Sequence, residues 1–487
     1  MLNSAIRNPQ FAILLRNASR WSFLAALVYA PWAYGCTTSA TITGLNWTLA
    51  AALALWAAGL LVREFAVIGD RRAAGDRRAE NRLADTGASD VVSRRSWPRT
   101  VLAFATVLLL LLGWWMVWNA HAIYDSAFYL AAQRAAPFAR LAGSVDQAIS
   151  AAWMVRATLL LGVIWLVADL SRNPVWLLRV WWTIALTGGS IALLGLVQKA
   201  IGAETIFWGE ASPAPVKTFF ATYFYHANAG AYLNLVLPLA IGLTVRCLTT
   251  PTAAVLKALA LSVALVTLGA TAANTSRMAQ VIALMLCVML AVFGLRWARH
   301  SRGLSWRGLV GAVALIVLTL FAIGQASRLE YSVERWSTFS ETAPKDARWL
   351  APQAAVRALP DAGLLGFGPG TFRVVFPYYT GAFGERLGGF WRFLHQDYLQ
   401  TLLEWGWIGS ALWGVVFFGG VGAAVAAMRS SRRKAWRPRH RMILQLALMA
   451  LTGVALHSCV DFPLQIASLQ LYAATYLGLC WGSSGWS

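Results

Sequence analysis

The sequence predicts an all-α polytopic membrane protein of about twelve transmembrane helices, with a long extracytoplasmic loop between helices nine and ten. Three observations carry that expectation. Hydrophobic residues make up 58% of the 487-residue chain and charged residues only 13%, about half the charged share of a soluble domain. The apolar residues cluster: Val101–Val117, Leu259–Ala272, Leu309–Ile323 and Val415–Met428 run with almost no polar interruption, beyond what a buried core helix needs. The basic residues, finally, are placed by side. Of the 41 Lys and Arg, 27 fall before Trp21 and in 63–99, 171–179, 246–257, 296–307 and 429–441. These segments alternate with the apolar runs, as the positive-inside rule requires. The net charge of +21 therefore reports topology, and no nucleic-acid partner is expected.

Putting the basic segments in the cytoplasm predicts helices over 21–40, 44–62, 100–119, 150–169, 180–199, 229–246, 255–272, 278–295, 308–326, 406–428, 442–459 and 466–483, with both termini cytoplasmic. The first apolar segment has no convincing small-residue cleavage site, so it reads as a retained helix. Segment 63–99 carries nine Arg against six acidic residues and few large apolar ones, and reads as a solvated cytoplasmic linker. Many of the 25 Trp stand at the ends of apolar runs, where an amphipathic belt meets the membrane surface. The chain divides into 1–326 with nine helices, the loop 327–395, and 396–487 with a short helix and three spans. Cys36, Cys247, Cys287, Cys459 and Cys480 show no paired spacing, so neither a disulfide framework nor a zinc site is indicated.

The loop 327–395 exceeds what joining two helices needs, and such loops are commonly functional. Three further polar clusters meet it on the outer side: Lys217 through Asn228, Thr275-Ser276-Arg277, and His457 through Gln465. A static scaffold has no need of this convergence, whereas a site at the membrane–water boundary does. Arg277 opens an apolar helix, either as a snorkelling anchor or as a guanidinium whose planar fork receives phosphate oxygens. Arg335, Arg348, Arg357 and Arg373 add cations in the loop. His395 precedes a helical run to Glu404, as a surface cap or as an imidazole that takes a proton from a sugar hydroxyl. Glu404 falls near the opposite helical face and reads as structural. Gly366-Phe367-Gly368-Pro369-Gly370-Thr371 lacks the Gly-Lys-Ser/Thr of a phosphate loop and reads as a tight turn. The aromatics around it, Phe372 through Phe393, suit stacking on sugar rings or dipping into the bilayer interface.

Absences narrow the chemistry. No close acidic pair of the metal-binding kind, no His-Glu-x-x-His, no Gly-x-Ser-x-Gly and no nucleotide-binding fold is visible, and no cofactor is expected. An outer-face enzyme has little access to nucleotides, so its donor should arrive activated on a lipid, with Arg and Lys meeting the leaving group's charge. A transporter or flippase is the rival from another class. It would place ionisable residues near the bilayer midplane, where Arg156 is the main candidate.

The ordered set of motifs resembles the O-antigen ligase and polymerase superfamily. The matching stretches are His226-Ala227-Asn228-Ala229-Gly230-Ala231 with Leu237-Pro238-Leu239, Thr275-Ser276-Arg277, Arg348, Leu365 through Phe372, His395 through Gly409, and His457 through Gln465. The resemblance runs from about residue 200 to 483. It implies a metal-independent glycosyltransferase of a bacterial inner membrane with a periplasmic site. The donor is then a glycan on undecaprenyl pyrophosphate, and the acceptor a lipid A-core, glycan or protein hydroxyl. Carried over, Arg277 and Arg348 hold the pyrophosphate and His395 orients or deprotonates the acceptor. Lys217, Asn228, Arg335, Arg373 and Asp461 become substrate-binding candidates. His226 stands where the family often has Asn, which leaves that side chain without a transferable role. Ligase and polymerase share the same clamp and are not separated by sequence.

Overall fold

A computed structural model describes residues 9–73, 97–125, 130–208, 219–300, 336–338, 346–430 and 436–486. The long elements are α1 (Pro9–Trp32), α2 (Ser39–Ala73), α3 (Trp97–Trp118), α4 (Gln147–Leu170), α5 (Pro174–Ala200), α6 (His226–Thr249), α7 (Ala254–Ala273) and α8 (Arg277–His300). The short helices α9 (Ala351–Arg357), α10 (Leu359–Ala362) and α11 (Phe372–Val375) follow, and then α12 (Asp397–Arg429), α13 (Pro438–His457) and α14 (Ala467–Gly482). Among the described residues, nine helices, α1 to α8 and α12, are long and apolar enough to cross a membrane. The chain is a membrane protein.

The helices begin and end where local chemistry dictates. The Asp146 carboxylate accepts from the Ile149 N–H at 3.0 Å and caps α4. Asn173 caps α5 by accepting from Val175 N at 3.0 Å, with Pro174 at the first helical position, where its missing N–H costs nothing. α14 lies at the centre of the bundle, buried along its length except at Gln470. Its neighbours are stitched by indole and phenol groups that need partners away from water. Trp481 Nε1 donates to Val416 O at 2.9 Å, Tyr476 OH donates to Leu235 O at 2.8 Å, and the Tyr232 and Tyr472 hydroxyls lie 3.1 Å apart.

Most expected spans coincide with these helices, and four features differ. The first helix ends at Trp32, followed by a turn at Tyr34–Cys36, instead of running over 21–40. Tyr34, Gly35 and Cys36 all have positive φ there, which breaks the helical path inside an apolar run. α2 continues to Ala73, eleven residues into the expected linker, and 74–96 lie outside the described residues. The span expected from 406 is one element with the preceding short helix, α12, broken at Gly406 (φ 62, ψ −171). An antiparallel hairpin, β1 (Ala122–Asp125) with β2 (Leu130–Gln133), is a small exception to an all-helical chain. The helix expected over 308–326 lies outside the described residues.

Part of the long loop folds on itself. Ala351, Ala354, Ala355, Ala358, Phe372, Phe376, Phe383, Leu387 and Leu394 pack with Leu403 of α12 into a separate small core. Three of the expected stacking aromatics are thus buried in that core, while Tyr378 and Phe390 are 82% and 76% exposed.

Candidate functional site

The site grows from the start of α12. The Gln396 side chain accepts from the Leu399 N–H and caps the helix. Asp397 is buried, and its carboxylate accepts from Ser458 Oγ (2.9 Å), Leu464 N (2.8 Å) and Gln465 Nε2 (3.0 Å). Its own N–H donates to Ser458 O at 2.9 Å. Four hydrogen bonds therefore bind the first residue of α12 to the turn between α13 and α14. That turn carries Asp461, and His395 stands two residues before the tie.

His395 adopts φ 61, a left-handed conformation that costs a bulky residue about 1–3 kcal/mol unless its surroundings enforce it. Here they do. Nδ1 lies 2.9 Å from Asp461 Oδ1, and the ring is met edge-on by Phe462, Trp391 and Tyr225 at 4.6, 6.0 and 6.2 Å. The carboxylate also accepts from the Phe462 N–H at 3.0 Å. Burial pushes Asp461 towards neutrality. The His395 hydrogen bond, then the positive charge of His395, His457 and Arg348, outweigh it and hold the group below the usual carboxylate range. An ionised carboxylate only accepts, so Nδ1 carries a proton, and in the neutral form of the ring Nε2 presents a lone pair. Among the described residues, no hydrogen bond engages Nε2.

Two more groups extend this pair. Arg348 Nη2 donates to Tyr225 OH at 2.9 Å, and Tyr225 OH reaches Asp461 Oδ2 at 3.5 Å. Arg348 follows Asp346, whose Oδ1 accepts from the Arg348 N–H at 3.0 Å and lies 3.8 Å from its Nε. The side chain stays 42% exposed. Burial lowers its pKa, but Tyr225, Asp461 and Asp346 more than reverse that, so the guanidinium is a fixed positive charge beside the imidazole. Tyr225 falls within the Lys217–Asn228 cluster but carries no further mark in the sequence. Its place emerges only when Phe462 stacks on it at 5.7 Å.

Arg277 comes to the same end of the bundle by a different route. The α7–α8 break is tied to α6: Asn274 Nδ2 donates to His226 O at 2.9 Å, while Asn274 Oδ1 accepts from Ser276 N at 2.9 Å. Arg277, the first residue of α8, is thus anchored through one residue to the neighbour of Tyr225. Asn228 is buried in the first turn of α6, its N–H donating to Tyr225 O at 3.1 Å. Arg373 lies in α11, where its charge joins burial in lowering the pKa of Arg392. No hydrogen bond or ion pair among the described residues joins Arg373 to His395 or Asp461. Lys217 and Arg335 lie outside the described residues.

Glu404 is structural. Its Oε2 accepts from Gly370 N at 3.0 Å, and its Oε1 from Phe372 N at 3.3 Å and Gln400 Nε2 at 3.0 Å. The carbonyls freed by the Gly406 break accept from the same turn, Leu403 O from Phe367 N (2.9 Å) and Glu404 O from Gly368 N (3.0 Å). Gly368 and Gly370 have φ +112 and +76, and a Cβ there would fall 2.4 Å from Ser144 Oγ and 1.9 Å from the Trp153 ring. The tight turn expected of this segment is what forms. Its N–H groups are engaged and offer no phosphate cradle. Among the described residues, no three His, Cys, Asp or Glu side chains converge in a way that could hold a metal ion.

The family described as O-antigen ligase matches residues 261–414. That stretch runs from α7 to the first half of α12 and includes Arg277, Arg348 and His395; Tyr225 and Asp461 lie outside it. The resemblance read from the motifs holds over this segment, and supports a bacterial membrane enzyme of O-antigen ligase or polymerase type. No curated protein matches the chain.

Proposed function

We propose that this protein is a metal-independent glycosyltransferase of a bacterial inner membrane. It moves a glycan from undecaprenyl pyrophosphate to an acceptor hydroxyl on the periplasmic face, in the manner of an O-antigen ligase. The observation that carries this reading is the 2.9 Å contact between His395 Nδ1 and a buried Asp461 carboxylate, with the Arg348 guanidinium reaching the same carboxylate through Tyr225. A base, a group that stabilises its protonated form, and a cation for an anionic leaving group are the three needs of this transfer.

In the proposed step, the acceptor oxygen attacks the anomeric carbon as His395 Nε2 takes its proton. The bond from that carbon to the pyrophosphate oxygen breaks, and the configuration inverts. Asp461 stabilises the imidazolium as it forms, the role of the orienting acid in other His-based sites. Arg348 and Arg277 receive the charge that builds on the leaving pyrophosphate, and such preorganised contacts are worth most where water is scarce. A polymerase that extends a second lipid-linked glycan uses the same groups. A transporter does not need a carboxylate-oriented imidazole with an accessible nitrogen.

The test is an incubation of the purified protein with a pyrophosphate-linked oligosaccharide lipid, a candidate acceptor and EDTA, measuring released undecaprenyl pyrophosphate. Acceptor-dependent release despite chelation is the expected result. A single transfer per acceptor identifies a ligase, and a ladder of product lengths identifies a polymerase. Absence of release across several donors and acceptors, with lipid-linked glycan flipped in vesicles instead, overturns the transferase.

A further inference from the structure

Between α4, α12 and α14 lies a cavity of about 500 Å³ that plays no part in the proposed transfer. This is within the range of roughly 300–1,000 Å³ typical of small-molecule sites. One part of its wall is polar: Arg156, Asp397, Thr401, Glu404, Ser410 and Gln470. The remainder is apolar, with Leu160, Leu161 and Ile164 of α4, Phe417 of α12, and Ala474 and Leu477 of α14. Tyr398, Trp407 and Phe418 border it and are 39%, 58% and 57% exposed on the outside of the bundle, so it meets the bilayer sideways.

The polar groups divide into two kinds. Asp397 and Glu404 each accept three hydrogen bonds from protein groups, which disperse their charge. Three other groups, one from each helix, lack hydrogen-bond partners among the described residues. Arg156 is 6% exposed and stacks on the Trp153 ring at 3.8 Å. No carboxylate lies within 4.0 Å of it, and none of its N–H groups meets an acceptor among the described residues. Ser410 Oγ and Gln470 Oε1 are buried without a hydrogen-bond partner among the described residues. Buried polar atoms are rarely left this way, and a guanidinium is the costliest of them. A phosphate with a hydrocarbon chain answers most of this wall: its oxygens accept from Arg156 and Ser410, and its chain covers the leucines and Phe417, while Gln470 Oε1, an acceptor, calls for a hydroxyl.

We propose that this cavity is a binding site for a membrane glycerophospholipid, with the phosphate on Arg156 and one acyl chain between α4, α12 and α14. The surrounding bilayer supplies the ligand, and the charges are complementary. None of the groups proposed to react lines the cavity, although it shares Asp397 and Gln465 with the tie that holds the Asp461 turn.

The experiment is native mass spectrometry of the full chain in detergent, after adding phosphatidylglycerol or diacylglycerol with the same chains. Phosphatidylglycerol should be retained and diacylglycerol should not. Arg156→Met should lower retention by roughly tenfold or more, the scale of one charge-assisted contact. Should that variant not fold, Gly414→Phe serves. Gly414 lines the cavity and a Cβ there meets nothing within 4 Å, so a side chain can start from this position, and its ring should displace the lipid. Equal retention of both lipids, or retention unchanged in a folded variant, overturns the proposal. So does displacement of phosphatidylglycerol by an equimolar polyprenyl phosphate, which would reassign the cavity to an isoprenoid chain.

Discussion

Two carboxylates, Glu404 at the end of the first segment of α12 and Asp461 in the turn between α13 and α14, are both almost fully enclosed, yet they are built for different ends. Glu404 accepts from Gly370 N, Phe372 N and Gln400 Nε2, so it closes a glycine-rich turn against a broken helix. Asp461 accepts from one backbone N–H and otherwise meets His395 and Tyr225, each of which leads on to an open group, Nε2 or Arg348. Burial alone does not mark a reactive acid. What distinguishes Asp461 is that its partners are side chains with hydrogen-bonding capacity to spare.

The comparison breaks most directly at His395. His395→Ala should lower turnover by roughly 10²–10⁴-fold, as loss of a general base does, while the protein still inserts and purifies. A fall of only a few-fold in released undecaprenyl pyrophosphate would demote it to positioning. Arg348→Ala and Arg277→Ala should each cost about 2.7–4 kcal/mol in the transfer step, as other preorganised charge contacts do. Near-normal single-turnover rates in either variant remove that residue from the leaving-group clamp. Glu404→Ala should act on the other side of the contrast. It leaves the Gly370 and Phe372 N–H groups without an acceptor at about 1–3 kcal/mol each, read as a lower unfolding temperature in detergent. Turnover per folded molecule should change much less.

The smallest effect concerns pH. The carboxyl of Asp461 is held below its ordinary value, so the stability it contributes is fully present above the unfolded aspartate pKa of about 3.9. That stability is lost as pH falls through the lower folded value. Asp461→Asn should flatten this part of the decline in unfolding temperature on acidification. An unchanged slope would show that the His395 contact does not stabilise the ionised carboxylate.

The bundle was largely legible because apolar runs and basic segments alternate, and that pattern depends on each residue's own transfer energy. Boundaries failed where backbone geometry decided, as at the Tyr34–Cys36 turn and the Gly406 break. His395, Asp461 and Arg348 were identifiable as candidates from motif order. Their connection through Tyr225 was not, because a tyrosine beside His226 looks like any other of the 13 in the chain. The function of Asp397 was equally hidden. Its three acceptor bonds reach Ser458, Leu464 and Gln465, more than sixty positions away, and no local periodicity encodes such a tie. Arg156 stood out early as an ionisable residue in an apolar helix, and only the surrounding helices show it facing a cavity.

The tie at Asp397 also has a bearing on the order of assembly. Every other candidate group precedes Asp461 in the chain, and the turn that carries it is gripped only once α13 and α14 have packed against the start of α12. During synthesis the imidazole of His395 therefore waits without its carboxylate until α13 and α14 are in place. A nascent chain halted after α12 holds the arginines and the histidine but not Asp461, so the proposed site cannot form before α13 and α14 have been added.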